Sequence, residues 1–227
     1  MSRIDLLRQT TLFADLPNDI LEALAASLGK RTFAKGMVLF HKGSPGQRLY
    51  VIETGLVRIF VLSDAGHEIT LDIHRPGECF GELALIDGGP RSAGAVAMET
   101  LVVYTLDREV FLDLVEAHPK LARRALERVS ERLRHLTAYV ESLTFLDIHG
   151  RVASCLLDFA VHHGQATEEG VVLQMHLTQA ELASCVAATR ESVNKVLGVF
   201  RDEGLIRHDG HILTILDPAG LKRRISY

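Results

Sequence analysis

The chain contains no tryptophan, and only three cysteines and six prolines in 227 residues. Cys79, Cys155 and Cys185 are too few and too scattered for a disulfide frame. They predict reduced thiols, acting as small buried hydrophobes, in a cytoplasmic protein. Although 47% of the residues are hydrophobic, no apolar run reaches 18 residues, so no membrane span is expected. The opening Met1-Ser2-Arg3-Ile4-Asp5 is too polar for a signal peptide. A strong excess of one charge is also missing, since 25 Lys and Arg face 29 Asp and Glu for a net −4. That argues against a generally basic nucleic-acid binder, while leaving room for one local basic surface. No low-complexity tract occurs, nor a P-loop, a Gly-x-Ser-x-Gly or a His-Glu-x-x-His motif. The eleven histidines include His162-His163 and the pair His208/His211, which read as surface residues.

The length suits two domains. Residues 3–29 read as two helical pieces, with Asn18 capping the second and Gly29 ending it. From Arg31 to Asp107 the pattern changes to short strands at 37–40, 49–53, 56–62, 68–73 and 101–106, separated by glycine turns. This spacing predicts an all-β barrel or sandwich. Residues 108–117 return to helix. Then Ala122, Leu126, Val129, Leu133, Leu136, Val140 and Leu143 recur at steps of four and three. That is an a/d heptad seam, and its charged flanks favour a partner helix over packing on the β-domain. The expected dimer contacts are Leu126, Val129, Leu133, Leu136, Val140 and Leu143. Asp147 suits the N-cap of a helix over 148–163, followed by a polar loop at 164–170 and a strand at 171–175.

Thr178 and Glu181 form a capping box, and Thr189 caps a second helix after a short turn. Two short helices across such a turn predict a helix-turn-helix. A hairpin follows, with an Asp209-Gly210 turn, as a wing. Arg190 can donate twice to guanine, Glu191 can accept from cytosine, and Lys195 can reach a guanine or a phosphate. Thr189 and Ser192 suit phosphate oxygens. The candidate DNA-facing residues are Thr178, Gln179, Thr189, Arg190, Glu191, Ser192 and Lys195.

One further stretch combines Phe80-Gly81-Glu82-Leu83-Ala84-Leu85 with Pro90-Arg91-Ser92-Ala93. Glycine permits close backbone approach, Glu82 can accept from a sugar hydroxyl, and Arg91 offers a planar fork to a phosphate. The pair of motifs resembles the phosphate-binding cassette of cyclic-nucleotide-binding domains, which are β-rolls. The segment 145–153 resembles the helix junction of CRP/FNR regulators, and Thr189-Arg190-Glu191-Ser192-Val193 resembles that family's recognition segment. Ala187 stands where the family commonly has glycine, and a positive φ there would cost roughly 1 kcal/mol, so a differently shaped turn is expected. Lys195 replaces a common arginine.

The resemblance implies an α+β protein that is not an enzyme. It would have a β-roll sensor over 1–118, a dimerisation helix over 119–146 and a winged helix-turn-helix over 147–227. It implies ligand contacts at Gly81, Glu82, Leu83, Ala84, Arg91, Ser92 and Ala93. It also places the base-reading pair at Leu136 and Thr137, of which only Thr137 can hydrogen-bond through its side chain. Arg132 can pair with Glu82, contact the ligand or stand as a solvated helix-face charge. No cofactor is expected. cAMP or another cyclic nucleotide is the implied effector, and the implied partners are palindromic double-stranded DNA, a second copy of the chain and RNA polymerase. Two alternatives stay open: a regulator that works without a nucleotide, and a nucleotide-binding signalling module acting on a protein partner. The cysteine-ligated iron–sulfur type is excluded because no cysteine precedes Cys79, and the haem type because Gly81-Glu82-Leu83 is intact.

Overall fold

The segment Arg48–Thr54 buries both of its faces. Leu49 and Val51 enter one core, and Tyr50 and Ile52 enter another. The computed structural model describes residues 2–173, 175, 177–209 and 212–225. The chain divides into two compact units, one of Met1–Leu62 with Leu71–His135 and the other of Ser63–Thr70 with Leu136–Tyr227.

The first unit opens with α1 (Arg3–Gln9) and α2 (Asn18–Ser27). The strands β1 (Gly29–Phe33), β2 (Val38–Phe40), β3 (Arg48–Thr54), β4 (Val57–Leu62), β5 (Glu68–His74) and β6 (Cys79–Phe80) follow. Then come α3 (Glu82–Asp87), β7 (Gly94–Ala97), β8 (Leu101–Asp107), α4 (Arg108–Ala117) and α5 (Pro119–Phe145), the last running into the second unit. Two four-stranded sheets form, ordered β1-β8-β3-β6 and β2-β7-β4-β5. Their facing sides share one core, with Tyr50, Ile52, Leu101 and Val103 against Val57, Ile59, Ala95 and Ala97. The outer side of the first sheet packs under Leu6, Leu7, Phe13, Leu21, Leu24, Phe111 and Leu121 from the helices. This is the expected roll.

In the second unit α6 (Ile148–His163) starts at Asp147, whose Oδ1 accepts from the Gly150 N–H at 2.8 Å. After it come β9 (Gly164–Thr167), β10 (Gly170–Leu173), α7 (Gln179–Cys185), α8 (Arg190–Asp202), β11 (Ile206–Asp209), β12 (Ile212–Ile215) and α9 (Pro218–Arg223). One sheet, ordered β11-β12-β10-β9, backs the helices. The hairpin β11–β12 pairs Ile206 with Ile215 and Asp209 with Ile212. Gly210 and His211, where the turn was expected, lie outside the described residues.

Several expectations are corrected. Asn18 is not the cap of α2; Pro17 holds that position without a side-chain bond, and Asn18 Oδ1 instead accepts from Arg8 at 2.9 Å. Gly29 does not end a helix but begins β1, because Leu28 is the C-cap. The stretch 164–170 is not simply a loop, since Gly164–Thr167 pairs with β10 as an exposed edge strand. Ala187 adopts φ +47°, the sole positive-φ residue other than glycine among those described. The turn therefore keeps the left-handed conformation that glycine would favour, rather than changing shape.

Strain at Ala187 gives a direct expectation. Ala187→Gly should stabilise the protein by about 0.5–1 kcal/mol, as relief of the left-handed Cβ clash outweighs glycine's extra freedom in the unfolded chain. Urea unfolding measures it, and a lower midpoint in the variant would contradict the strain.

Candidate functional site

The Gly81 backbone adopts φ +85° as it leaves β6, and α3 begins at the next residue. A Cβ on Gly81 would sit 2.5 Å from Arg91 Nη1, so glycine is required for the approach. The loop 43–46 closes on the same place. Gly43 N donates to Arg91 O at 2.8 Å, Arg91 N donates to Ser44 O at 2.9 Å, and a Cβ on Gly46 would lie 2.2 Å from that of Ala84. Beside them lies an open pocket lined by Phe40, Ile59, Gly81, Glu82, Leu83, Ala84, Arg91, Ser92, Ala93 and Arg132.

Two opposite charges are buried in this pocket. Glu82 and Arg91 are each 4% exposed. Arg91 Nη1 donates to Gly81 O at 2.8 Å and Nη2 to Arg48 O at 2.7 Å, while its buried Nε has no hydrogen-bond partner among the described residues. Burial lowers the guanidinium's pKa, against the opposing pull of Tyr50 and Glu82. It remains a cation at neutral pH. Glu82 Oε1 lies 3.6 Å from Arg132 Nη1 on α5. A buried cation with an unpartnered N–H, a carboxylate and nearby backbone suit a ligand carrying both an anion and hydroxyl groups.

Beside the pocket, His74 is 2% exposed, and its Nδ1 lies 3.1 Å from Glu78 Oε2. Burial alone would raise the Glu78 carboxyl. The His74 ring, the Arg75 N–H and the Arg128 charge outweigh it and hold the pKa at about 2. Burial pushes the Cys79 thiol up to about 12, which fits a packing role. All three cysteines are free.

The second unit presents the other set of residues. Thr178 Oγ1 accepts from Glu181 N at 3.2 Å, and Glu181 Oε2 accepts from Thr178 N at 2.7 Å, completing the capping box. Thr189 Oγ1 accepts from Ser192 N at 3.2 Å and starts α8. Val193, Val196, Leu197 and Phe200 bury one face of α8, which leaves Arg190, Glu191, Asn194 and Lys195 exposed on the other. Arg190 Nε donates to Gln179 Oε1 at 3.2 Å, and Lys195 pairs with Glu191 at 2.8 Å.

Comparison with known proteins bears on both sites. Residues 30–118 match the cyclic nucleotide-binding domain family, and residues 150–224 match the Crp-like helix-turn-helix domain. A "CRP-like cAMP-activated global transcriptional regulator" of Mycobacterium tuberculosis is 35% identical over 222 residues, covering 97% of this chain and 98% of that protein. The chain belongs to the CRP/FNR family of transcription regulators. Also similar is a "Global nitrogen regulator" of Synechococcus elongatus, 27% identical over 86% of this chain and 88% of that protein. A solved CRP-family transcriptional regulator of Thermus thermophilus is 31% identical, with a TM-score of 0.72 over 86% of this chain and 96% of the other. As a CRP/FNR member the chain is a DNA-binding transcription regulator with a cyclic nucleotide-binding domain, and not an enzyme.

Eight residues singled out from the sequence line this pocket: Gly81, Glu82, Leu83, Ala84, Arg91, Ser92, Ala93 and Arg132. Sequence reasoning missed Phe40 and Ile59, which lie on strands with no local polar signal. Leu136 is half-buried and Thr137 exposed, and both belong to the second unit. Along α5, Leu126, Leu133 and Val140 are 60–69% exposed, whereas Leu121 and Ala125 are buried.

The Glu78–His74 pair gives a pH expectation. A depressed folded-state pKa contributes stability that is complete above the ordinary carboxylate value of 4.5 and is lost as pH falls through about 2. Glu78→Gln should destabilise by on the order of 2 kcal/mol at pH 7, and should flatten the stability change between pH 4.5 and 2. Denaturant unfolding at pH 7 and pH 3 measures this; an equal loss at both would refute it.

Proposed function

We propose that this chain is a homodimeric transcription regulator switched by a cyclic nucleotide, with cAMP as effector. The observation that carries the reading is buried Arg91, whose Nε has no hydrogen-bond partner among the described residues, at a pocket that also holds buried Glu82. The name of the mycobacterial relative, a cAMP-activated regulator, supports the choice of nucleotide. In this reading the cyclic phosphate takes Arg91 and Ser92, and a ribose hydroxyl takes Glu82 in competition with Arg132. The base meets α5 near Leu136 and Thr137, with Thr137 donating or accepting a hydrogen bond and Leu136 giving apolar contact.

The stripe Leu126, Val129, Leu133, Leu136, Val140 and Leu143 pairs with the same stripe of a second copy. Each buried leucine contributes roughly 1.5–3 kcal/mol before entropic costs. The division of labour follows the chain: sensor over 1–118, dimer helix over 119–146, DNA reader over 147–227. Nucleotide binding shifts the population toward a state in which two α8 helices lie about 34 Å apart over a palindrome. Arg190, Glu191 and Lys195 read base edges there, while Thr178, Gln179, Thr189 and Ser192 hold phosphates. Such a regulator works in the cytoplasm, where DNA and RNA polymerase are found.

A second reading rests on Leu136, which lacks a hydrogen-bonding group at one of the two base-reading positions. There the protein binds its operator without a nucleotide.

Titration with cAMP and cGMP, by calorimetry and by operator binding, separates the two. The first reading expects heat with cAMP, a rise in operator affinity, and loss of both in Arg91→Leu. No heat and unchanged operator affinity with either nucleotide would refute it. Arg190→Ala should weaken specific operator binding by about 1–3 kcal/mol and relax base choice at its position. Unchanged operator affinity would remove α8 from the recognition role.

A further inference from the structure

Arg91 is held on two sides by different means. Two of its nitrogens donate to the carbonyls of Gly81 and Arg48, which fixes the guanidinium edge. Its flat face is met by aromatic rings. The guanidinium carbon lies 4.3 Å from the centre of the Phe40 ring and 5.6 Å from that of Tyr50. Behind them the rings continue, with Phe40 and Tyr50 5.6 Å apart, and Tyr50 stacked on Phe80 at 5.0 Å. At 4% exposure little water solvates the cation, so the negative faces of these rings stand in for solvent.

The strand carrying Phe40 is irregular at this point. The β2–β7 register shifts between Val38 and Phe40, with Val38 opposite Val96 and Phe40 opposite Ala95. An extra residue in one strand re-aims a side chain. Here the side chain that lines the pocket is Phe40.

We propose that Phe40 is a positioning residue for phosphate recognition, its ring clamping the Arg91 guanidinium by a cation–π contact, with Tyr50 as the second ring. The inference rests on the reading of this pocket as a cyclic-nucleotide site and adds to it a residue outside the cassette. The clamp sets the guanidinium plane before the ligand arrives, so less freedom is lost when the phosphate binds. A ring acting only as a hydrophobe would fill the same space without depending on its electron density.

Fluorination separates these roles, because it drains the ring face while nearly keeping its shape. Phe40 in the full-length protein is replaced by 4-fluoro-, 3,5-difluoro- and 3,4,5-trifluorophenylalanine, and cAMP and cGMP affinities are measured by calorimetry. The expected result is a stepwise loss reaching about tenfold at the trifluoro ring, with a similar or larger loss in Phe40→Leu. Normal binding by the unsubstituted protein with flat affinity across the series would overturn the clamp alone. Absence of binding by the unsubstituted protein would overturn the nucleotide reading and the clamp with it.

Discussion

A guanidinium taken out of water must find substitutes for it on every side, and this requirement shapes the first half of the chain. Leaving a charge unpaired in an apolar interior is prohibitive. Arg91 is met by two carbonyls from distant segments and by ring faces, and its Nε is left over. Bringing those carbonyls close demands glycine at 81, where a Cβ would strike the guanidinium. It also draws in the loop 43–46, whose backbone bonds to that of Arg91. Glycines some 35 residues apart in sequence are thus answers to one constraint. The same enclosure leaves Glu82 buried near its ion-pair partner Arg132, so the pocket joins the roll to the long helix through charge.

That charge divides α5 into two faces of different chemistry. Arg128, Arg132 and His135 recur at steps of four and three, on one side of the helix. Burial lowers the Arg128 pKa, but the neighbouring Cys79, Glu78, Glu82 and Asp72 outweigh it and raise it, and Arg132 pairs with Glu82. The apolar seam occupies a different stripe, exposed at Leu126 and Leu133. An amphipathic helix normally turns its apolar side to its own core. Here only Leu121 and Ala125, near its start, are buried, and further along polar contacts meet the roll. The apolar stripe stays exposed at Leu126, Leu133 and Val140, where the proposed second copy would dock.

The pattern of what could be read in advance follows from burial and length. Strands β3, β4 and β8 were legible because they are runs of large β-branched and aromatic residues. Strand β1, Gly-Lys-Arg-Thr-Phe, was not, because it is an edge strand exposed over most of its length. Strand β7, Gly-Ala-Val-Ala, escaped for the opposite reason. It is mostly buried, yet it uses small residues; a Cβ on Gly94 would fall 2.7 Å from the Phe60 ring. The helix-turn-helix was legible from its caps, Thr178 and Thr189, since capping is local and needs no tertiary partner. In the pocket, the cassette residues were legible because two short motifs, at 80–85 and 90–93, together resemble a known family's cassette. Phe40 and Ile59 reach the pocket through the fold of the sheets, which no local pattern encodes.

The proposed recognition helix α8 carries its own obstacle. The side chains proposed to read bases are already engaged, Lys195 with Glu191 and Arg190 with Gln179. Both members of the ion pair are at least 75% exposed, so solvent screens them, and such pairs contribute little stability. A well-formed bidentate base contact contributes roughly 1–3 kcal/mol of discrimination, which exceeds a surface pair's share. Exchanging the internal partners for base edges is therefore favourable where the sequence fits. Where it does not fit, the side chains fall back on each other instead of standing unpaired. Pre-pairing of this kind lowers affinity by a small amount at fitting sites, where the pairs are broken, and not at mismatched sites, where they persist. Discrimination is therefore set by how far a base contact exceeds the pair it replaces.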